Sequence, residues 1–341
     1  MRRVTQKIFL LIVISGLFAF FLHNQWSKHH FALSSLPSDD LKSMAIFSWL
    51  RWDSEHELDG SQYSPLASQA HRKATIRSVC DEHNLTRTSY VLDRKVAAQL
   101  YVEHSHKFLY CEVPKVGCSN WKRIILLLND SLGHTPGDLK HYQVHGSKQL
   151  KQLGAYPPEV QKQLLANYTK VMFTRDPLER VVSAYRDKFL HVDDVYYSKT
   201  IANQIKRTLG IDPKLNLTFE QFAQFIIQEN ASHRDTHWKP MYELCDPCSI
   251  KYDFIGKFTT ITEDADYVLK IIGAHENLKF PTMKHHSNDS RTGKDLTIRY
   301  LDTISPVLFR KLMNVYSLDF SMFDYSNYNS TYSKVPKTEA S

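Results

Sequence analysis

Lys107–Val113 (KFLYCEV), Pro114–Ser119 (PKVGCS) and Asn120–Leu128 (NWKRIILLL) read in succession as a strand, a tight loop and a helix, and this unit decides the fold. The β-branched and aromatic run stops at Pro114, and the stretch from Asn120 has the length and propensity of a helix, with Ser119 or Asn120 available as its N-cap. Such a loop presents backbone N–H groups at the positive end of a helix, which suits a phosphate. Lys115 adds an ammonium and Ser119 a hydroxyl. The Walker A loop has its Lys after the second Gly. Here Lys115 precedes Gly117 and no Walker B pattern follows, so a nucleotide kinase or ATPase fits less well than another anion binder. An ordinary strand-to-helix turn with a solvated lysine is the plain alternative.

A second unit lies downstream. Tyr168–Thr174 (YTKVMFT) reads as a buried parallel strand that runs into Arg175-Asp176-Pro177-Leu178-Glu179-Arg180-Val181-Val182-Ser183. Pro177 suits a first helical turn, and Leu178, Val181, Val182 and Tyr185 share one helical face. Arg175 then stands at a strand end and Ser183 two turns into the helix. Two anion-competent strand ends imply a crevice at the carboxyl edge of a parallel sheet. Glu179, Arg186, Asp187 and Lys188 read mainly as a solvated charge pattern. Arg180 either shares the anion site or faces solvent.

The rest of the 341-residue chain sets the context. A hydrophobic fraction of 42% with only 11 Gly and 13 Pro excludes disorder and collagen-like repeats, and the net charge of +7 favours anionic partners without naming one. Ile8–Leu22 is apolar apart from Ser15 and Gly16 and follows Arg2, Arg3 and Lys7, so it reads as an uncleaved signal-anchor in type II orientation. The expected organisation is a cytoplasmic tail 1–7, a transmembrane segment 8–26, a lumenal stem 27–95, a catalytic domain 96–330 and a tail 331–341. N-x-[ST] sequons at Asn84, Asn129, Asn167, Asn216, Asn230, Asn288 and Asn329 take seven of thirteen asparagines, which favours a lumenal chain.

Pro114–Arg123 (PKVGCSNWKR) resembles the 5′-phosphosulfate-binding loop, and Arg175–Ser183 (RDPLERVVS) the 3′-phosphate-binding segment, of Golgi carbohydrate sulfotransferases of the HNK-1 / N-acetylgalactosamine 4-O-sulfotransferase family. The similarity runs through Tyr101–Tyr325 and includes His237-Trp238, Cys245-Asp246-Pro247-Cys248 and Tyr252–Phe258. The resemblance implies an α/β fold with a P-loop-like parallel sheet flanked by helices, a Golgi membrane location, and transfer of a sulfuryl group from 3′-phosphoadenosine-5′-phosphosulfate (PAPS) to a glycan hydroxyl. In that reading Pro114, Lys115, Val116, Gly117, Cys118, Ser119 and Asn120 hold the 5′-phosphosulfate. Arg175, Asp176, Pro177, Leu178, Glu179, Arg180, Val181, Val182 and Ser183 form the 3′-phosphate segment. No metal is required, because Lys, Arg and backbone dipoles can meet the donor's charge.

A histidine is the natural base for the acceptor hydroxyl. His145, between the two motifs, is favoured as a catalytic residue beside Lys115, with His237 second and a carboxylate still open. Cys245-x-x-Cys248 lacks partners for a zinc site and reads as contributing to a structural disulfide, with Cys118 unpaired in the loop; the pairing is not readable. The basic stretches Lys188–Ile211 and Met283–Lys294 suit an anionic acceptor. The Cys111–Lys115 and His286–Thr292 stretches resemble enzymes that sulfate O-4 of N-acetylgalactosamine (GalNAc), on N-glycan termini or on chondroitin and dermatan. The alternatives are 3-O-sulfation of glucuronic acid in the HNK-1 epitope and a non-catalytic lumenal glycan-binding protein of the same fold. Nucleic acid is the least expected partner.

Overall fold

A computed structural model describes residues 63–86, 91–128, 135–191, 194–282, 290–325 and 328. The expected anchor, the first part of the stem, the C-terminal tail and the sequons at Asn129, Asn288 and Asn329 lie outside them. Among the described residues no helix is long and apolar enough to cross a membrane.

Five strands form one sheet in the order β3-β1-β2-β4-β5: β1 (Leu100–Glu103), β2 (Phe108–Cys111), β3 (Lys151–Gln152), β4 (Thr169–Thr174) and β5 (Phe254–Lys257). The parallel sheet expected from the sequence is a mixed one. β2, β4 and β5 run parallel, with Tyr110 opposite Val171 and Val171 opposite Phe254, while β1 pairs antiparallel with both β2 and β3. The difference arises because β1 and β2 are joined by a short hairpin rather than a helical crossover, and a tight turn can only reverse the chain. The crossovers that carry helices belong to β2, β4 and β5.

Phe108, Leu109, Tyr110, Val171, Met172 and Phe173 are fully buried, as near-continuous apolar strands between two helical layers require. Trp121 closes the sheet on one side, with its ring centroid 5.3 Å from Tyr110 and 5.1 Å from Phe173. Each such ring contributes roughly 1.5–3 kcal/mol by leaving water. Gly256 on β5 allows this packing, since a Cβ there would fall 2.2 Å from the Phe173 ring. A second core gathers Leu178, Val181, Val182, Phe222, Phe309 and Tyr316 among the helices beyond β4.

The folded unit begins at Ser64, ahead of the boundary at 96. Residues 65–82, expected in the stem, form α1 (Pro65–Glu82) on the outer edge of β5, and a short α2 (Arg94–Ala97) precedes β1. Gln69 acts there as a surrogate strand: its amide donates to Ile255 O (3.1 Å) and accepts from Ile255 N–H (2.9 Å). Arg72 donates to the same carbonyl and to Asp264. An edge strand's unpaired backbone groups are thereby satisfied. Disulfides Cys80–Cys248 and Cys111–Cys245 tie α1 and β2 to the segment after Met241, and Cys118 is free.

Candidate functional site

β2 ends in the loop that was expected to bind an anion. Lys115 and Gly117 both adopt positive φ, 71° and 77°, so the backbone turns sharply before α3 (Cys118–Leu128). A Cβ at Gly117 would meet Ile261 Cδ1 at 2.7 Å, which leaves glycine as the residue that fits. α3 starts two positions earlier than the sequence implied. Ser119 is therefore inside the first turn and not its cap, and the N–H groups of that turn are the ones a helix leaves without an internal acceptor.

β4 ends at Thr174 and leads into Arg175, and α6 follows after α4 (His141–His145) and α5 (Pro158–Asn167). α6 (Pro177–Phe189) is capped by Asp176, whose carboxylate accepts from the N–H groups of Leu178 and Glu179, both at 3.0 Å. Burial raises the Asp176 carboxyl to about 6, against the pull of these hydrogen bonds. Pro177 takes the first turn as expected.

Both strand ends open onto one cleft of about 390 Å³. Pro114, Lys115, Gly117, Cys118, Ser119 and Asn120 line it from the first motif, and Arg175 and Ser183 from the second. The other expected site residues are elsewhere. Val116, Leu178, Val181 and Val182 are fully buried and pack the core behind the cleft. Arg180 neither shares the anion site nor faces solvent. It is fully buried and donates to three carbonyls, Pro114 O (2.9 Å), Thr236 O (2.7 Å) and Lys239 O (2.6 Å). Sequence spacing put Arg180 near the phosphate segment, but its stem turns inward because those loop carbonyls need a donor.

Arg175 is only 4% exposed and stacks 4.2 Å from the Phe258 ring centroid. It donates to Lys115 O (2.9 Å) and Thr292 O and reaches Glu179 at 3.5 Å, which ties the two motifs together and leaves its remaining N–H groups for a ligand. The cleft also takes Arg186, Asp187 and Lys188, which the sequence suggested were solvated. Lys115 Nζ is 3.2 Å from Asp187 Oδ2, and Lys188 Nζ is 3.4 Å from the same oxygen. Burial disfavours the Asp187 charge, yet Lys115 and Lys188 outweigh it and hold the carboxyl well below its ordinary range. Burial lowers the Lys115 ammonium from its usual value despite Asp187.

The two candidate histidines differ in how their rings are engaged. His145 lies 2.8 Å from Ser119 Oγ through Nε2 and 3.4 Å from Lys122 Nζ through Nδ1. Loss of water around the ring nitrogens, then the charge of Lys122, pushes its pKa down to about 3. His237 donates from Nδ1 to Asp235 Oδ1 at 2.8 Å, and Tyr197 OH donates to Asp235 Oδ2 at 2.9 Å. Burial lowers its pKa, opposed by Asp235. The signal for this pair in the sequence is Asp235-x-His237 alone. Among the described residues no group of three or more His, Cys, Asp or Glu is placed to hold a metal ion.

The geometry suits a nucleotide with phosphates at two ends: one near Lys115 and the α3 N-terminus, another near Arg175, Ser183 and Arg186. Residues 98–326 match the Sulfotransferase family. The chain is 42% identical to human carbohydrate sulfotransferase 9 over 67% of its own length and 53% of the relative's. It is 36% identical to carbohydrate sulfotransferase 14 of Danio rerio (76% and 72%) and 34% identical to carbohydrate sulfotransferase 11 of Rattus norvegicus (75% and 75%). The first of these alignments spans about half of its relative. No solved structure matches. By this match, and by the two motifs meeting in one cleft, the chain belongs to the carbohydrate sulfotransferases of the sulfotransferase family.

Proposed function

We propose that the protein transfers the sulfuryl group of PAPS to a sugar hydroxyl, with O-4 of N-acetylgalactosamine as the acceptor position, in N-glycan termini or in chondroitin and dermatan. The observation that carries the reading is the convergence of Lys115 and Arg175 on one cleft from two adjacent parallel strand ends. The family supplies the donor chemistry, and the residue types agree with it. In-line displacement at sulfur places growing negative charge on the leaving 5′-phosphate, where Lys115 and the first-turn N–H groups of α3 stand ready. Arg175, with Ser183 and Arg186, holds the 3′-phosphate, and the bound nucleotide brings its sulfur to a fixed point.

The O-4 position rests on the resemblance of the Cys111–Lys115 and His286–Thr292 stretches, and the basic lining of Lys188 and Arg291 supports an anionic acceptor such as chondroitin. A Golgi membrane location with the catalytic domain in the lumen agrees with the exposure of the four described sequon asparagines, Asn84, Asn167, Asn216 and Asn230. Two disulfides agree with an oxidising compartment. Linkage analysis of the product tests the position. The expected product carries sulfate on O-4 of GalNAc, and sulfate on O-3 of glucuronic acid would replace this acceptor with the HNK-1 type.

A further inference from the structure

Resting on the lumenal reading of the chain, we infer that Asn216 carries an N-linked glycan whose first sugars lie in a second cavity, on the face of α6 opposite the cleft of Lys115 and Arg175. The cavity measures about 710 Å³, within the range of small-ligand sites. Asn216 lines it together with Tyr185, Phe189, Leu190, Tyr300 and Thr303. α6 thus divides two spaces: Ser183, Arg186 and Asp187 line the cleft, while Tyr185 and Phe189 line the cavity. The sequon Asn216-Leu217-Thr218 supplies the attachment point. Asn84, Asn167 and Asn230 line neither space.

The backbone on both sides of Asn216 is anchored, so an attached sugar leaves it in a defined direction. Leu217 is buried in the second core, and its carbonyl accepts from Tyr185 OH at 2.7 Å. Thr218 caps the helix Phe219–Gln228 through a reciprocal pair: Gln221 N–H donates to Thr218 Oγ1 (3.2 Å), and Thr218 N–H donates to Gln221 Oε1 (3.0 Å). Upstream, Lys206 Nζ donates to Pro213 O at 2.9 Å and ties the preceding loop to the helix Ala202–Leu209. Between these anchors Asn216 itself is exposed.

The lining suits a sugar. An N-acetylglucosamine ring is apolar on its C–H faces and polar at its hydroxyl rim, so it packs on aromatic walls that open to water on one side. Tyr185 is only 5% exposed, and its ring centroid lies 5.7 Å from Tyr300, which meets it edge-on, and 6.1 Å from Phe189. Leu190, just past the end of α6, is 49% exposed, and a glycan over it would remove that apolar surface from water. Lys206, Glu220 and Thr303 border the same cavity and offer hydrogen bonds to hydroxyl and acetamido groups. A glycan held there braces the helix that carries Ser183 and Arg186 into the cleft.

The test uses the full-length protein, made in cells with a secretory pathway and bearing uniform oligomannose glycans. Peptide mass spectrometry reads which sequons are occupied, and then follows trimming by an endoglycosidase that cuts between the two core sugars. Asn216 should be occupied, and its glycan should be trimmed at least about tenfold more slowly in the native protein than in the denatured chain, a lag that the other occupied sites lack. L190D, which replaces an apolar wall at an exposed position, should leave Asn216 occupied and remove most of that lag without changing the other sites. Glycan at other sequons with none at Asn216, trimming at Asn216 without a lag, or an unchanged lag in L190D overturns the proposal. Absence of glycan at every sequon would instead overturn the lumenal reading on which it rests.

Discussion

Lys115 Nζ stands 3.2 Å from Asp187 Oδ2 in the cleft, so the cation of the Pro114–Ser119 loop is already paired across to α6. The two side chains are 19% and 15% exposed, which keeps the pair from being fully screened by water. Because the folded state holds the Asp187 carboxyl below its ordinary value, the pair contributes stability above the unfolded carboxylate pKa of about 4, and that contribution is lost as pH falls below it. D187N should therefore melt below wild type at pH 7, and the gap should begin to narrow below about pH 4 and vanish only beneath the depressed folded value. Equal melting temperatures at pH 7 would show that the pair adds nothing to the fold.

Arg180 provides a sharper stability test. Its guanidinium satisfies the carbonyls of Pro114, Thr236 and Lys239, so it fixes the residue before Lys115 against the residue before His237. R180M strands three buried acceptors, each costing roughly 1–3 kcal/mol, and a loss of at least about 3 kcal/mol is expected in chemical denaturation. R180K should recover only part of it, since an ammonium lacks the planar fork. A variant with wild-type stability and weakened nucleotide binding would return Arg180 to the phosphate site.

Gly117 tests the loop. Its left-handed φ of 77° and the 2.7 Å approach of Ile261 Cδ1 both oppose a side chain. G117A should weaken binding of adenosine 3′,5′-bisphosphate by about tenfold or more, a shift of about 1.4 kcal/mol of loop strain expressed in the site. Titration calorimetry on the full chain reads this directly, and unchanged affinity would mean that the loop does not cradle the nucleotide.

The two strand-to-helix units were legible because apolar runs that end at Pro114 and Arg175 announce buried strands, and the periodic Leu178, Val181, Val182 and Tyr185 announce a packed helix. α1 was not, since its contact with β5 is made by Gln69 and Arg72 through hydrogen bonds and leaves no apolar stripe to read. β1 was missed because its pairing depends on a short hairpin without a strong turn signal. Pairings between cysteines separated by 168 and 134 residues are set by the fold alone. Within the site, Lys115, Arg175 and Ser183 were visible from their motifs. The inward turn of Arg180, the pairing of Asp187 and the contact of His237 with Asp235 depend on which carbonyls and charges the folded chain brings beside them, which spacing does not encode.

The most direct measurement is transfer of labelled sulfate from PAPS to a panel of glycans by the full-length protein, run beside binding of adenosine 3′,5′-bisphosphate. The account predicts label in a GalNAc-terminated or chondroitin acceptor, and a kcat/KM reduced by about 100- to 1,000-fold in K115A, the loss expected when one donor to the developing charge is removed. Absence of transfer to every glycan together with absence of bisphosphate binding, or full activity in K115A, would contradict it.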